Sequence, residues 1–155
     1  MKPDAYPIPL LWDMVQQAAH HRWYICLDIN WGFWSLPLHP DSRQYTAIIT
    51  PRHGLLEFTV VPVGIRNSPP EFQRFMDSVL ERLKNVAVYI DDIIIAADSF
   101  SEAIQGLTGV LERLQEWGLF IKLSKTELFK EEVKLLEHLI SFKGICPNPK
   151  KVQAV

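Results

Sequence analysis

An α+β fold is what this 155-residue sequence predicts, and three observations carry that expectation. Residues 68–84 and 99–117 repeat apolar side chains at helical spacing behind capping signals. Several short apolar or β-branched runs, bounded by turn residues, read as strands. The segments follow one another as strand, long excursion, helix, hairpin, helix, strands. Two amphipathic helices need a shared sheet face to cover, and a βαββαβ arrangement supplies one.

The elements follow in order. Residues 1–9 form an extended Pro-rich lead-in, and residues 10–20 suggest a short helix through Leu10, Leu11, Met14, Val15 and Ala18. Tyr24-Ile25-Cys26-Leu27 reads as a buried strand ending at Asp28. Tyr45 to Thr50 and Leu56 to Val61 are β-rich runs on either side of the turn signal Pro51-Arg52-His53-Gly54. Ser68-Pro69-Pro70-Glu71 is a helix start, with Ser68 as cap, Pro69 in the first turn and Glu71 completing a capping box. Phe72, Phe75, Met76, Val79, Leu80 and Leu83 keep one face apolar to near Lys84, which is core packing. A second capping box, Ser99 with Glu102, opens a helix whose apolar positions include Ala103, Leu107, Val110, Leu114 and Trp117. Gly106 and Gly109 weaken it, and Gly118 ends it. Leu119 to Ile145 reads as short strands and turns.

Composition narrows the function classes. Apolar residues make up 48% of the chain, which is globular rather than disordered. A single domain of this size buries about 70% of its extended surface. The formal net charge of −2 supplies no global basic field for nucleic acid. Cys26 and Cys146 have neither metal spacing nor a disulfide framework around them, and the five histidines have no ligand spacing. A reducing, intracellular setting is expected, with cytoplasm and nucleus both open. Asp4, Pro3, Pro7 and Pro9 interrupt any signal-peptide pattern, and no apolar run approaches a membrane span, so no membrane partner is expected.

Val88-Tyr89-Ile90-Asp91-Asp92-Ile93-Ile94-Ile95 is the most informative stretch. Two adjacent carboxylates inside an apolar run are costly to bury and repel each other. A hairpin solves the problem: one strand ends near Ile90, a tight turn carries the acids, and a second strand returns from Ile93. A divalent cation can then neutralise the pair, and magnesium prefers one or two carboxylates plus substrate phosphates. In the βαββαβ arrangement the end of the first strand lies beside this hairpin, which brings Asp28 next to Asp91 and Asp92. Three such acids suit two cations roughly 4 Å apart and an in-line phosphoryl displacement.

At this point the chain resembles a known family. Tyr89-Ile90-Asp91-Asp92 is similar to the (Y/F)xDD box of reverse transcriptases. Leu27-Asp28-Ile29-Asn30-Trp31-Gly32-Phe33-Trp34 resembles the box carrying their first catalytic aspartate. The run from Val61 through Pro62, Gly64, Asn67, Ser68 and Pro69 to Phe72 and Gln73 resembles their PxGxxNSPxxFQ segment. Asp4 to Pro9, Leu123-Ser124-Lys125 and Pro147 to Val152 fit in the same order. Together these resemble the polymerase of Ty3/gypsy-type long-terminal-repeat retrotransposons and related retroviruses, over nearly the whole chain.

The resemblance implies a reverse-transcriptase palm of ferredoxin-like βαββαβ form: an antiparallel sheet with helices on one face, plus partial fingers, over residues 1–155. It implies an RNA-directed DNA polymerase. Asp28, Asp91 and Asp92 would bind two Mg²⁺ ions, with Mn²⁺ as an alternative, helped by the Ile29 backbone carbonyl. Phe33 would be the steric gate that excludes a ribose 2′-OH, where the residue alone reads as core. Trp31, Gly32, Val63, Gly64 and Tyr89 would border the nucleotide, and Val63 stands where many retroviral enzymes carry Gln. Lys125 matches a lysine suggested as general acid toward pyrophosphate, against a solvated-surface reading. The implied partners are an RNA or DNA template with primer and deoxynucleoside triphosphates.

Two departures bear on activity. The family's tight FLGH turn reads here as Leu135-Leu136-Glu137-His138, with Glu137 in place of glycine. Before Asp28 the basic residues are Lys2 and Arg22 alone, so the upstream basic clamp of the fingers, the thumb and RNase H are expected to belong to missing segments of a parent Pol polyprotein. The alternatives are an inactive retroelement remnant that binds nucleic acid or a partner, and a different palm-type metal enzyme such as a nucleotide cyclase.

Overall fold

The computed structural model describes residues 6–135 and 138–147. The elements in chain order are α1 (Leu11–Ala18), β1 (Trp23–Asn30), α2 (Pro40–Arg43), β2 (Ile48–Thr50), β3 (Gly54–Leu56), α3 (Ser68–Val79), β4 (Val86–Tyr89), β5 (Asp92–Ala97), α4 (Phe100–Glu116), β6 (Phe120–Ile121), β7 (Glu127–Lys130), β8 (Glu132–Leu135), β9 (His138–Ser141) and β10 (Gly144–Pro147). Short 3₁₀ turns lie at Gly32–Ser35, Gln44–Thr46 and Leu123–Lys125. Among the described residues no helix is long and apolar enough to cross a membrane.

The central sheet runs β4-β5-β1-β6, and β7 also pairs with β1. Each of these pairings is antiparallel. The first strand therefore lies between the third and the fourth of the βαββαβ series, as the sequence order implied. A three-stranded sheet, β10-β9-β8, and the β2–β3 hairpin complete the architecture.

The sheet is buried on both faces, and this explains the unbroken apolar runs. Ile25, Leu27 and Ile29 of β1 join Ile93, Ile95 and Ala97 of β5 against α3 and α4. Tyr24, Ile94 and Ala96 join Met14, Val15 and Ala18 of α1 and Val133, Leu135 and Ile140 of β8 and β9. Helices on one face is thus true of α3 and α4, while α1 and the three-stranded sheet cover the other. Strands buried on both faces lose the apolar–polar alternation that marks a half-exposed sheet. Phe72, fully buried, illustrates the energetics: burying a side chain of this kind contributes about 1.5–3 kcal/mol.

Several boundaries differ from the sequence-based ones for physical reasons. Strand β1 continues two residues past Asp28 because β6 pairs with Ile29 and Asn30. Helix α3 starts at Ser68 with Asn67 as its cap residue, and no capping box forms. The Ser68 hydroxyl donates instead to the Pro62 carbonyl at 3.2 Å and ties the preceding loop to the helix. The helix ends at Val79 rather than near Lys84. The β-rich run from Leu56 to Val61 contributes strand only to Leu56, with Val60 bridging to Pro37.

The Ser99–Glu102 capping box forms in both directions, and Gly118 ends α4 at φ 67. Gly106 has a packing reason: a Cβ there would stand 2.7 Å from Ile95 Cγ2, so glycine lets α4 approach the sheet. The departure at Glu137 lies outside the described residues, as do Asp4 and Ala5 and the motif positions from Asn148 to Val152.

Candidate active site

Strand register builds the site. Antiparallel pairing of β1 with β5 sets Asp28 directly opposite Asp92. The Ile29 N–H donates to the Asp91 carbonyl at 2.8 Å, so residues 29 and 91 occupy a hydrogen-bonded position. Asp28 and Asp92 then fall at the narrow, non-hydrogen-bonded position, where facing side chains come closest. Like charges opposite each other destabilise a ladder. Packing alone has no use for this pair.

The turn between β4 and β5 is two residues long, Ile90 and Asp91, closed by the Tyr89–Asp92 pair. Ile90 takes φ 54, the left-handed region that such hairpin turns require. A branched side chain there carries a cost of about 1–2 kcal/mol.

Asp91 points inward. Its Oδ1 atom is buried and has no hydrogen-bond partner. Burial pushes its pKa up to about 6, the charges of Asp28 and Asp92 push the same way, and Lys125 opposes them. Asp92 is also raised, by burial and then by Asp28. Lys125 Nζ donates to Asp28 Oδ2 at 2.8 Å. That hydrogen bond and the Asp28 charge hold the ammonium above its ordinary value.

The three acids line two cavities. Asp28, Asp92 and Lys125 line one of about 340 Å³, together with Glu127 and Lys134. Asp91 lines another of about 190 Å³ with Trp31, Gly32, Phe33, Trp34 and Val63. As the side chains stand, no three His, Cys, Asp or Glu groups among the described residues form a set that would hold a metal ion. The shared shell expected for Asp28, Asp91 and Asp92 is therefore not preassembled. Lys125 serves as the counter-ion of Asp28, and Asp91 turns toward Gly32.

Gly32 is buried, and its lack of a side chain admits Asp91. A Cβ at this position would collide with Asp91 Oδ1 and stand 2.7 Å from Phe72 Cζ. Trp31 precedes it at φ 56 and is 68% exposed, so its ring faces solvent at the cavity mouth. Phe33 lines the cavity and also packs on Phe72, with ring centroids 5.3 Å apart. One side of this ring thus faces the cavity and the other packs on the core. Val63 is exposed at the same cavity, whereas Gly64 takes φ 95 in the adjoining loop. Tyr89 packs against the α1 side of the sheet and lines neither cavity. Ile29 lines the Asp91 cavity.

Sequence reasoning passed over Glu127 and Lys134, which enter the larger cavity because β7 pairs with β1 and β8 lies close to it. It also passed over Gln73, which is fully buried. A signal existed there: an amide beside Phe72 and Met76 interrupts an apolar helix face.

Comparisons with known proteins agree with this geometry. The family described as Reverse transcriptase (RNA-dependent DNA polymerase) matches residues 1–140. The chain is 35% identical over 155 residues to the retrovirus-related Pol polyprotein from transposon 297 of Drosophila melanogaster, covering 99% of this chain and 14% of that polyprotein. It is 30% identical over 157 residues to the Transposon Tf2-3 polyprotein of Schizosaccharomyces pombe, covering 100% of this chain and 12% of the polyprotein. A foamy viral protease–reverse transcriptase solved with double-stranded DNA superposes with a TM-score of 0.91 at 25% identity, over 99% of this chain and 28% of that one. The same kind of protein solved with an RNA/DNA hybrid gives a TM-score of 0.89 at 26% identity, over 98% of this chain and 21% of that one. The chain thus spans a small part of the length of the relatives it matches. With facing acids on β1 and β5, a hairpin turn carrying a third, and this match along nearly all of its length, the chain belongs to the reverse transcriptase (RNA-dependent DNA polymerase) family.

Proposed function

We propose that residues 1–155 form the palm, with part of the fingers, of an RNA-directed DNA polymerase, and that Asp28, Asp91 and Asp92 are its metal-holding acids. The observation that carries this reading is the buried, unpartnered Asp91 Oδ1 beside two further acids in register. A buried carboxylate oxygen without a donor is costly, and a divalent cation is the natural partner for three neighbouring acids. The donor set is all oxygen, which suits Mg²⁺ or Mn²⁺. Bound divalent ions would supply charge neutralisation for a transferring phosphoryl group and activate the attacking hydroxyl.

The chain's own residues do the rest. The Asp28–Asp92 register holds two carboxylates on one side, and the Ile90–Asp91 turn delivers the third. Phe33 and Val63 wall the cavity beside Asp91, where the sugar and base of a deoxynucleoside triphosphate would lie. Trp31, with its exposed ring, borders the same space. Lys125 carries a proton and sits on Asp28. To protonate pyrophosphate it must leave that carboxylate. The partners of this reading are an RNA or DNA template with primer and deoxynucleoside triphosphates, with the fingers, thumb and RNase H segments of a longer polyprotein.

The direct test is calorimetric titration of the 155-residue chain with Mn²⁺ and Mg²⁺, alongside Asp91→Asn. Saturable binding in the parent, lost in the variant, is expected. Equal binding by both proteins overturns the assignment.

A further inference from the structure

We propose that Gln73 is a positioning residue that sets the turn presenting Asp91 and Asp92, and that Asp77 and Tyr6 fix the orientation of its amide. The inference rests on the reading of those acids as the metal-holding group.

Gln73 lies on α3 with no exposed surface, and Ser68 is its sole companion among buried polar side chains of the described residues. Its amide bonds to the first arm of the acid hairpin and to its turn. Nε2 donates to the Val88 carbonyl on β4 at 3.0 Å. Oε1 accepts the Ile90 N–H at 2.8 Å. Ile90 is the left-handed turn residue, and Asp91 follows it directly. One side chain thus clamps the last turn of backbone before the acids.

The two backbone groups have opposite polarity, a carbonyl and an N–H. A carboxamide offers a donor and an acceptor at the right separation, whereas a carboxylate or a hydrocarbon does not. An amide can be seated two ways round, however. Asp77, one helical turn along α3, removes the ambiguity. Its Oδ1 accepts from Gln73 Nε2 at 2.9 Å, which only the NH₂ end can satisfy. Asp77 is held in turn by Tyr6, whose hydroxyl donates to Oδ2 at 2.6 Å. The Arg74 guanidinium lies 4.8 Å over the Tyr6 ring. The relay therefore runs from Tyr6 through Asp77 and Gln73 to the Ile90 N–H.

A core position that served packing alone would favour leucine or methionine, because a buried amide is costly unless every bond is made. Here the bonds go to β4, to the turn that follows it and to the group that orients the amide. Rotation of Ile90 toward ordinary φ would swing Asp91 away from the Gly32 gap and from Asp92.

The experiment uses the isotope-labelled 155-residue chain and three variants. Gln73→Met keeps the shape and removes the bonds. Asp77→Asn keeps Gln73 and removes its orienting charge. Val110→Ala, on α4, is a stability control remote from the turn. The readouts are hydrogen exchange at the Ile90 amide and Mn²⁺ affinity by calorimetry. Gln73→Met should speed Ile90 exchange about tenfold or more relative to the amides of β5, as loss of a buried hydrogen bond does. It should weaken Mn²⁺ binding by about tenfold, by the same loss of preorganisation. Asp77→Asn should give two Ile90 amide resonances, the signature of two amide orientations. Val110→Ala should leave Ile90 exchange relative to β5, and Mn²⁺ affinity, unchanged.

Unchanged Ile90 exchange in Gln73→Met overturns the proposal, as does an equal loss of Mn²⁺ affinity in Val110→Ala. A single, unshifted Ile90 resonance in Asp77→Asn removes Asp77 from the relay. Should Gln73→Met fail to fold, the Asp77→Asn spectrum decides alone. Absence of Mn²⁺ binding in the parent would sink the metal reading, while Ile90 exchange would still decide whether Gln73 sets the turn.

Discussion

Lys125 Nζ sits 2.8 Å from Asp28 Oδ2, an ion pair between residues 97 apart in the chain. It joins the acid of β1 to the 3₁₀ turn after β6, and it gives Asp28 a counter-ion from within the chain. A divalent cation at Asp28 must compete with that ammonium. Lys125→Met is therefore expected to raise Mn²⁺ affinity about three- to tenfold, the effect of removing a nearby competing charge in partly screened surroundings. Calorimetry at low and high salt checks this, and the gain should shrink with salt.

Asp91 yields a pH prediction whose sign is unusual for an acid. Its folded pKa is about 6 against an ordinary 3.8. Between those values the folded chain holds a proton that the unfolded chain has released. The stabilising effect is fully present below about pH 4 and is lost as pH rises through 6. At pH 7.5 in EDTA, Asp91→Asn should therefore melt higher than the parent. The expected gain is about 2–4 °C, the response of a domain this size to roughly 1 kcal/mol after allowance for solvent screening. The gain should vanish near pH 4. Adding Mn²⁺ should raise the Tm of the parent and not of the variant.

Gly32→Ala tests the packing of Asp91. The added methyl meets Asp91 Oδ1 and Phe72, and these side chains must shift to admit it. Overpacking of this kind costs about 1–3 kcal/mol, read as a lower urea midpoint at unchanged slope. Displacement of Asp91 should also weaken Mn²⁺ binding. A variant as stable as the parent would mean that the Gly32 gap is wider than the structure shows.

Phe33→Val separates the two faces of that ring. Loss of its contact with Phe72 should cost about 1–2 kcal/mol in the isolated chain. In a chimaera carrying complete reverse-transcriptase fingers and thumb, the same change should raise ribonucleotide over deoxyribonucleotide incorporation. Destabilisation with unaltered sugar discrimination would leave Phe33 as a core residue.

The 155-residue chain should extend a primer negligibly by itself. Its formal net charge is −2, and the cations lining the two cavities are Lys125 and Lys134. Binding a duplex rests on neutralising phosphates, and each missing contact lowers affinity and its salt dependence. Primer extension on poly(rA)/oligo(dT) with Mg²⁺ or Mn²⁺, with Asp91→Asn as the blank, measures this. Robust extension absent from the blank would show that metal and acids suffice.

Much of the design was legible in the order of residues. Local signals act over a few residues and need no partner. The Ser99–Glu102 box and the Gly118 stop lie where capping chemistry puts them, while the acid hairpin turns one residue earlier than expected, on Ile90 and Asp91, because Asp92 pairs with Tyr89. The acid pair in an apolar run marked a candidate site, because no packing requirement retains it. Tertiary structure decided what depends on distant partners. The capping role of Ser68 was lost to the Pro62 carbonyl, and β1 was lengthened by β6. Burial of the sheet on both faces, by α3 and α4 on one side and α1 with β8 and β9 on the other, follows from which elements meet. So do the Lys125–Asp28 pair and the clamp of Gln73 on Ile90. A charge or an amide declares its need for a partner in the sequence, but only the folded chain chooses which partner meets it.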